Sequence, residues 1–123
     1  MPAGSYELHG IRIFECPAEG PHLGAGDANA LVSAAWEHRA RWIVIPAERL
    51  NSDFFSLKTQ VAGEIIQKFV TYRLRVAILG DISGHLGESQ ALQTWVRECN
   101  TGPDVWFVPD REELARRLQA QQA

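Results

Sequence analysis

Carboxylate, hydroxyl and ammonium side chains gather in the segments that follow the predicted strands of this 123-residue chain. Glu48 and Asp81 come shortly after two apolar runs, and Asp110 comes after a third. The carboxyl ends of parallel strands meet at one edge of a sheet, where ligands preferentially bind. The candidate binding residues at this edge are Glu48, Asp53, Phe55, Ser56, Lys58, Thr59 and Asp81. They predict either a site for a small polar ligand or a patch that a partner protein contacts.

The same carboxylates also have a simpler structural explanation. Asp53 and Asp110 stand where helices are expected to begin, and acidic residues are common there because they cap free backbone N–H groups. Glu48 would then simply face water. Both interpretations stay open for each carboxylate.

An anion could bind near Ser56 and Thr59, because the start of a helix exposes backbone N–H groups and a partial positive charge. A glycine-rich phosphate loop is missing at this place. The nearest pattern, Gly24-Ala25-Gly26, precedes a helix but does not follow a covered strand, as a dinucleotide fold requires. The sequence therefore disfavours nucleotide binding, and we expect no cofactor.

Phe54 and Phe55 are adjacent, so their rings point in different directions unless the chain turns sharply. In one interpretation both rings belong to the core. In the other, one ring lies near the surface and anchors a partner, which makes Phe55 a candidate contact residue.

His85 follows Asp81 by four residues near the same edge, and a His–Asp pair could act as a general base. No nucleophile stands beside the pair in the sequence, and a loop histidine is more commonly just solvated. The four histidines do not cluster, and Cys16 and Cys99 lack the spacing of metal ligands. We predict no metal site and identify no catalytic residue, which leaves enzymatic activity open.

Length and charge restrict the classes of function. The length fits one domain over residues 1–123, with a Gln/Ala tail at 119–123 that we expect to fray. The formal charge of −3 argues against binding to nucleic acid or to anionic membranes. We expect a cytoplasmic protein, because no signal-peptide pattern or membrane-spanning run is present and the two cysteines are best explained as reduced thiols.

Apolar patterning predicts an alternation of strands and helices. Alternation on either side of His9-Gly10 predicts a β-hairpin. Runs at residues 42–45, 75–79 and 105–108 are apolar on both faces, which is typical of parallel strands between helices. Helices are expected at about residues 27–40, 57–72 and 89–99 and after residue 110. The order β-β-α-β-α-β-α-β-α predicts a single α/β domain with a mixed, mostly parallel five-stranded sheet, an N-terminal hairpin and four helices.

The strongest helical period lies between residues 57 and 72, where apolar side chains recur every four positions. These are Leu57, Val61, Ile65 and Phe69. On the polar side, Glu64 and Lys68 have the spacing of an exposed ion pair. Gly63 inside this helix costs about 1 kcal/mol relative to alanine. We therefore expect a loop or a second subunit to approach Gly63 closely, and a homodimer follows as a hypothesis.

The order of elements resembles that of the anti-anti-sigma-factor family, the STAS domains, over nearly the whole chain. This resemblance implies a regulatory partner rather than an enzyme, switched by phosphorylation of a Ser or Thr at the start of the second helix. The matching region here is Phe54-Phe55-Ser56-Leu57-Lys58-Thr59. The family's Asp-Ser-Ser-Gly-Leu signature is absent, so phosphorylation of Ser56 or Thr59 stays open.

The residues themselves resemble a bacterial family known only as domain of unknown function 4180. The resemblance is carried by residues 53–59 and 62–69, by Tyr72, by Gly80-Asp81 and by residues 98–102, and it covers most of the chain. It implies a small bacterial protein without an assigned reaction.

Two main hypotheses for the function follow. The first is a small cytoplasmic bacterial protein-interaction or regulatory module, with an unidentified protein or a second copy as partner, in which Phe55→Ala removes binding without unfolding. The alternative is a small enzyme or small-ligand-binding protein that uses the carboxyl edge of the parallel strands, where it needs a pocket of roughly 300 Å³ or more. A third hypothesis, a structural subunit of a larger assembly, rests on Gly63 and the four tryptophans. Neither nucleic acid nor a membrane is an expected partner.

Overall fold

A computed structural model describes residues 4–122, which form one five-stranded sheet with the strands side by side in sequence order. The strands are β1 (Gly4–Leu8), β2 (Ile11–Glu15), β3 (Trp42–Pro46), β4 (Arg75–Leu79) and β5 (Val105–Val108). β1 and β2 pair antiparallel, and every other neighbouring pair is parallel. The turn of the hairpin is His9-Gly10, and both residues have positive φ, as a two-residue hairpin turn needs. The predicted fold class is confirmed.

Six α-helices accompany the sheet within the described residues. They are α1 (Ala28–Glu37), α2 (Ser52–Phe55), α3 (Val61–Thr71), α4 (Ser83–Leu86), α5 (Gln90–Thr101) and α6 (Arg111–Gln122). The four long ones, α1, α3, α5 and α6, correspond to the four predicted helices. None of the six has the length and apolar character that crossing a bilayer requires. Residues 119–122 continue α6, residue 123 lies outside the described range, and fraying of this tail stays a prediction.

The strand order decides where the long helices lie. Parallel crossovers are right-handed, and each new strand is added on the same side of the previous one, so the helices between them share one face. The side chains buried on this face include Phe14, Ile43, Ile45, Val76, Ile78 and Phe107 from the strands and Val32, Ala35, Ile65, Phe69, Leu92 and Val96 from α1, α3 and α5. The strands are therefore apolar toward this helix layer.

The opposite face of the sheet packs against α6. Leu114 and Leu118 of this helix are fully buried, as predicted. Beneath them Trp42 and Trp106 lie side by side with ring centroids 4.6 Å apart, and the guanidinium of Arg117 lies 4.3 Å from the centroid of the Trp106 ring. The predicted strands at 42–45 and 105–108 are thus covered on both sides, which explains their continuous apolar sequence.

The predicted helix from residue 57 to residue 72 is wrong at its start. Residues 57–59 form a single 3-10 turn, and α3 begins only at Val61 because Gln60 has a left-handed backbone, with φ 65°. The hydroxyl of Thr59 stabilises this break by donating to the carbonyl oxygens of Asp53, at 2.6 Å, and Ser56, at 2.8 Å. A local side-chain hydrogen bond has replaced a helical turn that the apolar period favoured.

Arg49 ties the loop after β2 to the end of β3. Its side chain is 7% exposed, and its guanidinium donates to the carbonyl oxygens of Pro17, Glu19 and Pro21 at 2.7, 3.2 and 2.9 Å. Gly20 lies against the same group with φ +133°, and a Cβ built there would be 3.1 Å from the guanidinium carbon. The loop therefore needs glycine at this position and the arginine beside it.

We expect Arg49→Met to lower the free energy of unfolding by about 2 kcal/mol, because methionine leaves three carbonyl oxygens without their charged donor. Urea unfolding followed by circular dichroism measures the change. The matched control is Arg97→Met, since Arg97 is exposed on α5. Equal unfolding free energies for the two variants would contradict the role of Arg49.

Glu15 ties the end of β2 to the start of α6. Its side chain is 12% exposed, and its carboxylate accepts hydrogen bonds from the Tyr6 hydroxyl, at 2.5 Å, and from both Nε and a terminal nitrogen of Arg111. Burial by itself raises the pKa of Glu15, but the hydrogen bonds from Arg111 and Tyr6 outweigh it and hold the pKa below its ordinary value. Burial and the hydrogen bond to Glu15 raise the pKa of Tyr6, which keeps this hydroxyl a donor.

A carboxylate whose pKa is lowered by folding stabilises the protein above its unfolded-state pKa, near about 4.3 for glutamate, and loses that contribution as the pH falls through the folded-state pKa. Glu15→Gln should therefore lower stability at neutral pH and flatten the fall of stability below about pH 4.3. Urea unfolding at a series of pH values measures both effects. Glu112→Gln, at an exposed position in the first turn of α6, should follow the wild-type curve. A Glu15→Gln curve parallel to wild type would show that Glu15 does not titrate in this way.

Candidate functional site

The segments that follow β3 and β4 enclose an open groove at the carboxyl edge of the parallel strands. Its volume is about 450 Å³. We call it the edge groove. It is lined by Ser52, Phe55, Ser56, Leu57, Lys58, His85, Glu88, Ser89 and Ala91. The groove exceeds the size that the ligand-binding hypothesis requires, and it lies where that hypothesis places it.

Two stacked rings form part of the groove wall. The rings of Phe55 and His85 are nearly parallel, 12° apart, with centroids at 4.0 Å. Phe55 is 4% exposed, and Phe54, at 1%, packs edge-on against it and lies at a tilt to Trp95. Both phenylalanines therefore belong to the core, which is the first of the two interpretations of the sequence, and the alternative in which Phe55 is an exposed anchor is wrong. The chain does turn sharply here, because α2 is a single turn, and both rings end up facing inward.

The polar groups of the edge groove come from its two sides. Ser56 and Lys58 stand on the wall that follows α2, and Glu88 stands on the wall that precedes α5. Ser89 caps α5, as predicted, because its hydroxyl oxygen accepts a hydrogen bond from the backbone N–H of Leu92 at 3.1 Å. The first turn of a helix has backbone N–H groups without helical partners, so this wall also carries partial positive charge.

Of the seven predicted site residues, Phe55, Ser56 and Lys58 lie together in the edge groove, and the other four lie outside its lining. Glu48 is exposed on a 3-10 turn. Asp53 is exposed in the first turn of α2, whose cap is the side chain of Asn51. The Thr59 hydroxyl is engaged in the break before α3.

Asp81 serves as the cap of a turn. Its carboxylate accepts a hydrogen bond from the backbone N–H of Ser83 at 2.9 Å, and this bond lowers the pKa of Asp81. The ring of His85 stacks on Phe55, and a pair of Asp81 with His85, which the sequence allowed, is absent from the hydrogen bonds of residues 4–122. Asp110 caps α6 by accepting a hydrogen bond from the N–H of Glu113 at 2.9 Å, as the structural explanation of this carboxylate states. The same explanation is wrong for Asp53, because Asn51 caps α2 instead.

Sequence reasoning placed His85 near this edge, but it missed Glu88 and Ser89 as neighbours of Ser56 and Lys58. The available signal was the position of this segment after β4, since residues that follow parallel strands meet at one edge, but we expected the segment to be a loop. A single helical turn, α4, shortens this segment, and the side-chain amide of Gln93 donates to the Leu86 carbonyl at 2.7 Å to hold α4 against α5. Four residues are too few to show a helical period.

The two thiols are weak nucleophiles at neutral pH. Burial raises the pKa of Cys16 to about 11 against the opposing charge of Arg49, and burial also raises the pKa of Cys99 to about 11. Over residues 4–122, no group of three or more His, Cys, Asp or Glu side chains is placed to hold a metal ion.

A second surface lies on the outer side of α1 and α3. Trp36 is 61% exposed and Tyr72 is 41% exposed, and their rings meet edge to face at 6.2 Å. The ammonium of Lys68 lies 5.7 Å from the centroid of the Tyr72 ring, and the predicted ion pair of Lys68 with Glu64 is not formed within the described residues. A Cβ at Gly63 would have no atom within 4 Å, so the chain's own loops do not explain this glycine.

We expect Phe55→Ala to lower the free energy of unfolding by about 3–5 kcal/mol, because it removes a buried ring and the face on which His85 stacks. Urea unfolding measures the loss. Tyr72→Ala is the matched control, with a clearly smaller expected change, because Tyr72 is 41% exposed where Phe55 is 4% exposed. A Phe55→Ala variant as stable as the control would return Phe55 to the role of a surface anchor.

No curated protein and no solved structure matches this chain, so the resemblance to anti-anti-sigma-factor topology stays a prediction. The model of the family described as "Domain of unknown function (DUF4180)" matches residues 8–118. This stretch includes the whole edge groove and all four long helices, except for the end of α6. The chain therefore belongs to this DUF4180 family.

Proposed function

We propose that this chain is a small-ligand-binding protein whose ligand occupies the edge groove. The observation that carries the proposal is a 450 Å³ groove at the carboxyl edge of parallel strands, walled by the Phe55–His85 stack and bordered by polar side chains from both sides. Grooves of this volume accommodate small molecules, and this edge is the usual ligand position in parallel α/β sheets. The stacked rings offer a preformed wall, since the core holds the Phe55 ring and the His85 ring stacks on it.

The groove favours a ligand with an anionic group. The ammonium of Lys58 attracts negative charge from one wall, and the first turn of α5, which follows its cap Ser89, attracts it from the other. The hydroxyl of Ser56, on the same lining, adds a donor. Glu88 on the same lining accepts hydrogen bonds, so the ligand is expected to carry a donor as well.

We propose binding rather than catalysis, in the cytoplasm. The high thiol pKa values argue against a cysteine nucleophile, and Asp81 is engaged by Ser83 instead of activating His85. Cys16 and Cys99 are both free, which suits a reducing compartment.

The test is an NMR titration of ¹⁵N-labelled protein with inorganic phosphate, with glycerol as the uncharged probe. We expect saturable amide shifts at Lys58, Gln90 and Ala91 with phosphate and none with glycerol. Lys58→Gln should weaken phosphate binding about tenfold, the effect of one charge-assisted hydrogen bond.

The matched control is Lys68→Gln, because the chain has only these two lysines and Lys68 lies on the outer side of α3, outside the edge groove. Its phosphate affinity should equal that of wild type. Shifts that do not saturate, or the same affinity in both lysine variants, would refute an anion site in the edge groove.

A protein-interaction or regulatory role is the second candidate, and a separate observation favours it. Tryptophan and tyrosine are over-represented among the residues that dominate binding energy in interfaces, and Trp36 and Tyr72 stand exposed together. The two exposed rings on the outer side of α1 and α3 support this role, whereas Phe55 is buried and does not. A partner whose binding survives Trp36→Ala would count against it.

A further inference from the structure

The outer side of α1 and α3 is continuous and open. Two shallow grooves of about 690 and 290 Å³ run along it and meet at Tyr72. We call it the α1–α3 surface, formed by Trp36, Gln60, Gly63, Glu64, Gln67, Lys68, Thr71 and Tyr72. It faces away from the sheet and shares no lining residue with the edge groove.

We propose that the occupant of the α1–α3 surface is a second copy of the same chain, with the two α3 helices antiparallel about a two-fold axis level with residue 66. Glu64 and Lys68 lie two residues on either side of that level, and because they are four residues apart they share one side of the helix. A two-fold contact joins the same patch of both copies, so the patch must be complementary to itself.

The charges of α3 meet that condition. In the antiparallel arrangement Glu64 of each copy faces Lys68 of the other, which forms two ion pairs across the axis. In the single chain these two side chains are not paired with each other, although their spacing permits it, and the Lys68 ammonium lies over the Tyr72 ring. Both charges are thus available at the surface.

Gly63 meets the condition sterically. The space above it is empty, and it lines the same groove as Glu64 and Gln67. A glycine lets a facing helix approach the backbone more closely than any other residue does. Trp36, in edge-to-face contact with Tyr72, extends the apolar contact beyond the 11 residues of α3. In the dimer, Gly63 therefore has a close neighbour from outside its own chain.

The test is a charge exchange measured by sedimentation equilibrium on the full chain. We expect wild type to dimerise. Glu64→Lys places lysine against lysine twice, and Lys68→Glu places glutamate against glutamate twice, so each variant alone should dimerise at least about tenfold more weakly. An equimolar mixture of the two variants restores both ion pairs, and a heterodimer with affinity near that of wild type should form.

Two controls keep the test decisive. At a protein concentration well below the wild-type dissociation constant, where all three proteins are monomeric, thermal unfolding should be nearly unchanged in both variants, since Glu64 is exposed and neither side chain is buried. Glu112→Lys, on α6 and away from this surface, should leave dimerisation intact. Wild type that stays monomeric up to its solubility limit would overturn the proposal. So would single variants that dimerise as wild type does, or a mixture that fails to recover the dimer.

Discussion

The strands follow one another across the sheet in sequence order, and the right-handedness of parallel crossovers then leaves only one face for α1, α3 and α5. The same constraint brings the carboxyl ends of β2, β3 and β4 to one edge in immediate succession. Loops from three neighbouring strands must share that edge, and Arg49 accommodates them by binding the carbonyl oxygens of the β2–α1 loop from the end of β3. The edge groove forms one strand further along, between the segments that follow β3 and β4.

The remaining long helix, α6, returns across the other face of the sheet and is fixed at its start by hydrogen bonds from Arg111 to Glu15. These bonds join the end of β2 to a residue 96 positions later in the chain. The network of Tyr6, Glu15 and Arg111 is polar on a face that is otherwise closed by tryptophan and leucine. It therefore sets the position of α6 along the strands, while Leu114 and Leu118 supply the apolar burial.

Features marked by an apolar pattern or by a capping residue were predictable from the sequence, and features decided by a contact without such a mark were not. The strand at residues 42–46 is apolar at every position because helices lie on both sides, and Ser89 and Asp110 cap helices as their types indicate. The break at Gln60 was not predictable from the apolar period. A left-handed residue other than glycine costs about 1 kcal/mol, and here the hydroxyl of Thr59 offsets it through hydrogen bonds to carbonyl oxygens that a linear pattern does not show.

The same limit applied to the site. The rule that ligands bind at the carboxyl ends of parallel strands pointed to the edge at which the edge groove lies, and it named Ser56 and Lys58 of its lining, but it could not show which of the neighbouring side chains converge. The inward direction of Phe55 depends on α2 being a single turn, and the position of His85 depends on the single turn α4. Both turns are too short to have a period, so the stack between Phe55 and His85 is a tertiary contact without a local signal.

The edge groove and the α1–α3 surface are adjacent in sequence but physically separable. Thr59 and Gln60 lie between Lys58, on the groove wall, and Val61, where α3 begins. The break at Gln60 turns the chain, so Lys58 lines the groove while Glu64 and Lys68 line the other surface. Substitutions at sites that share no partner usually act additively. Changes of charge at Lys58 and at Glu64 should therefore affect ligand binding and self-association independently, and each surface can be judged without the other.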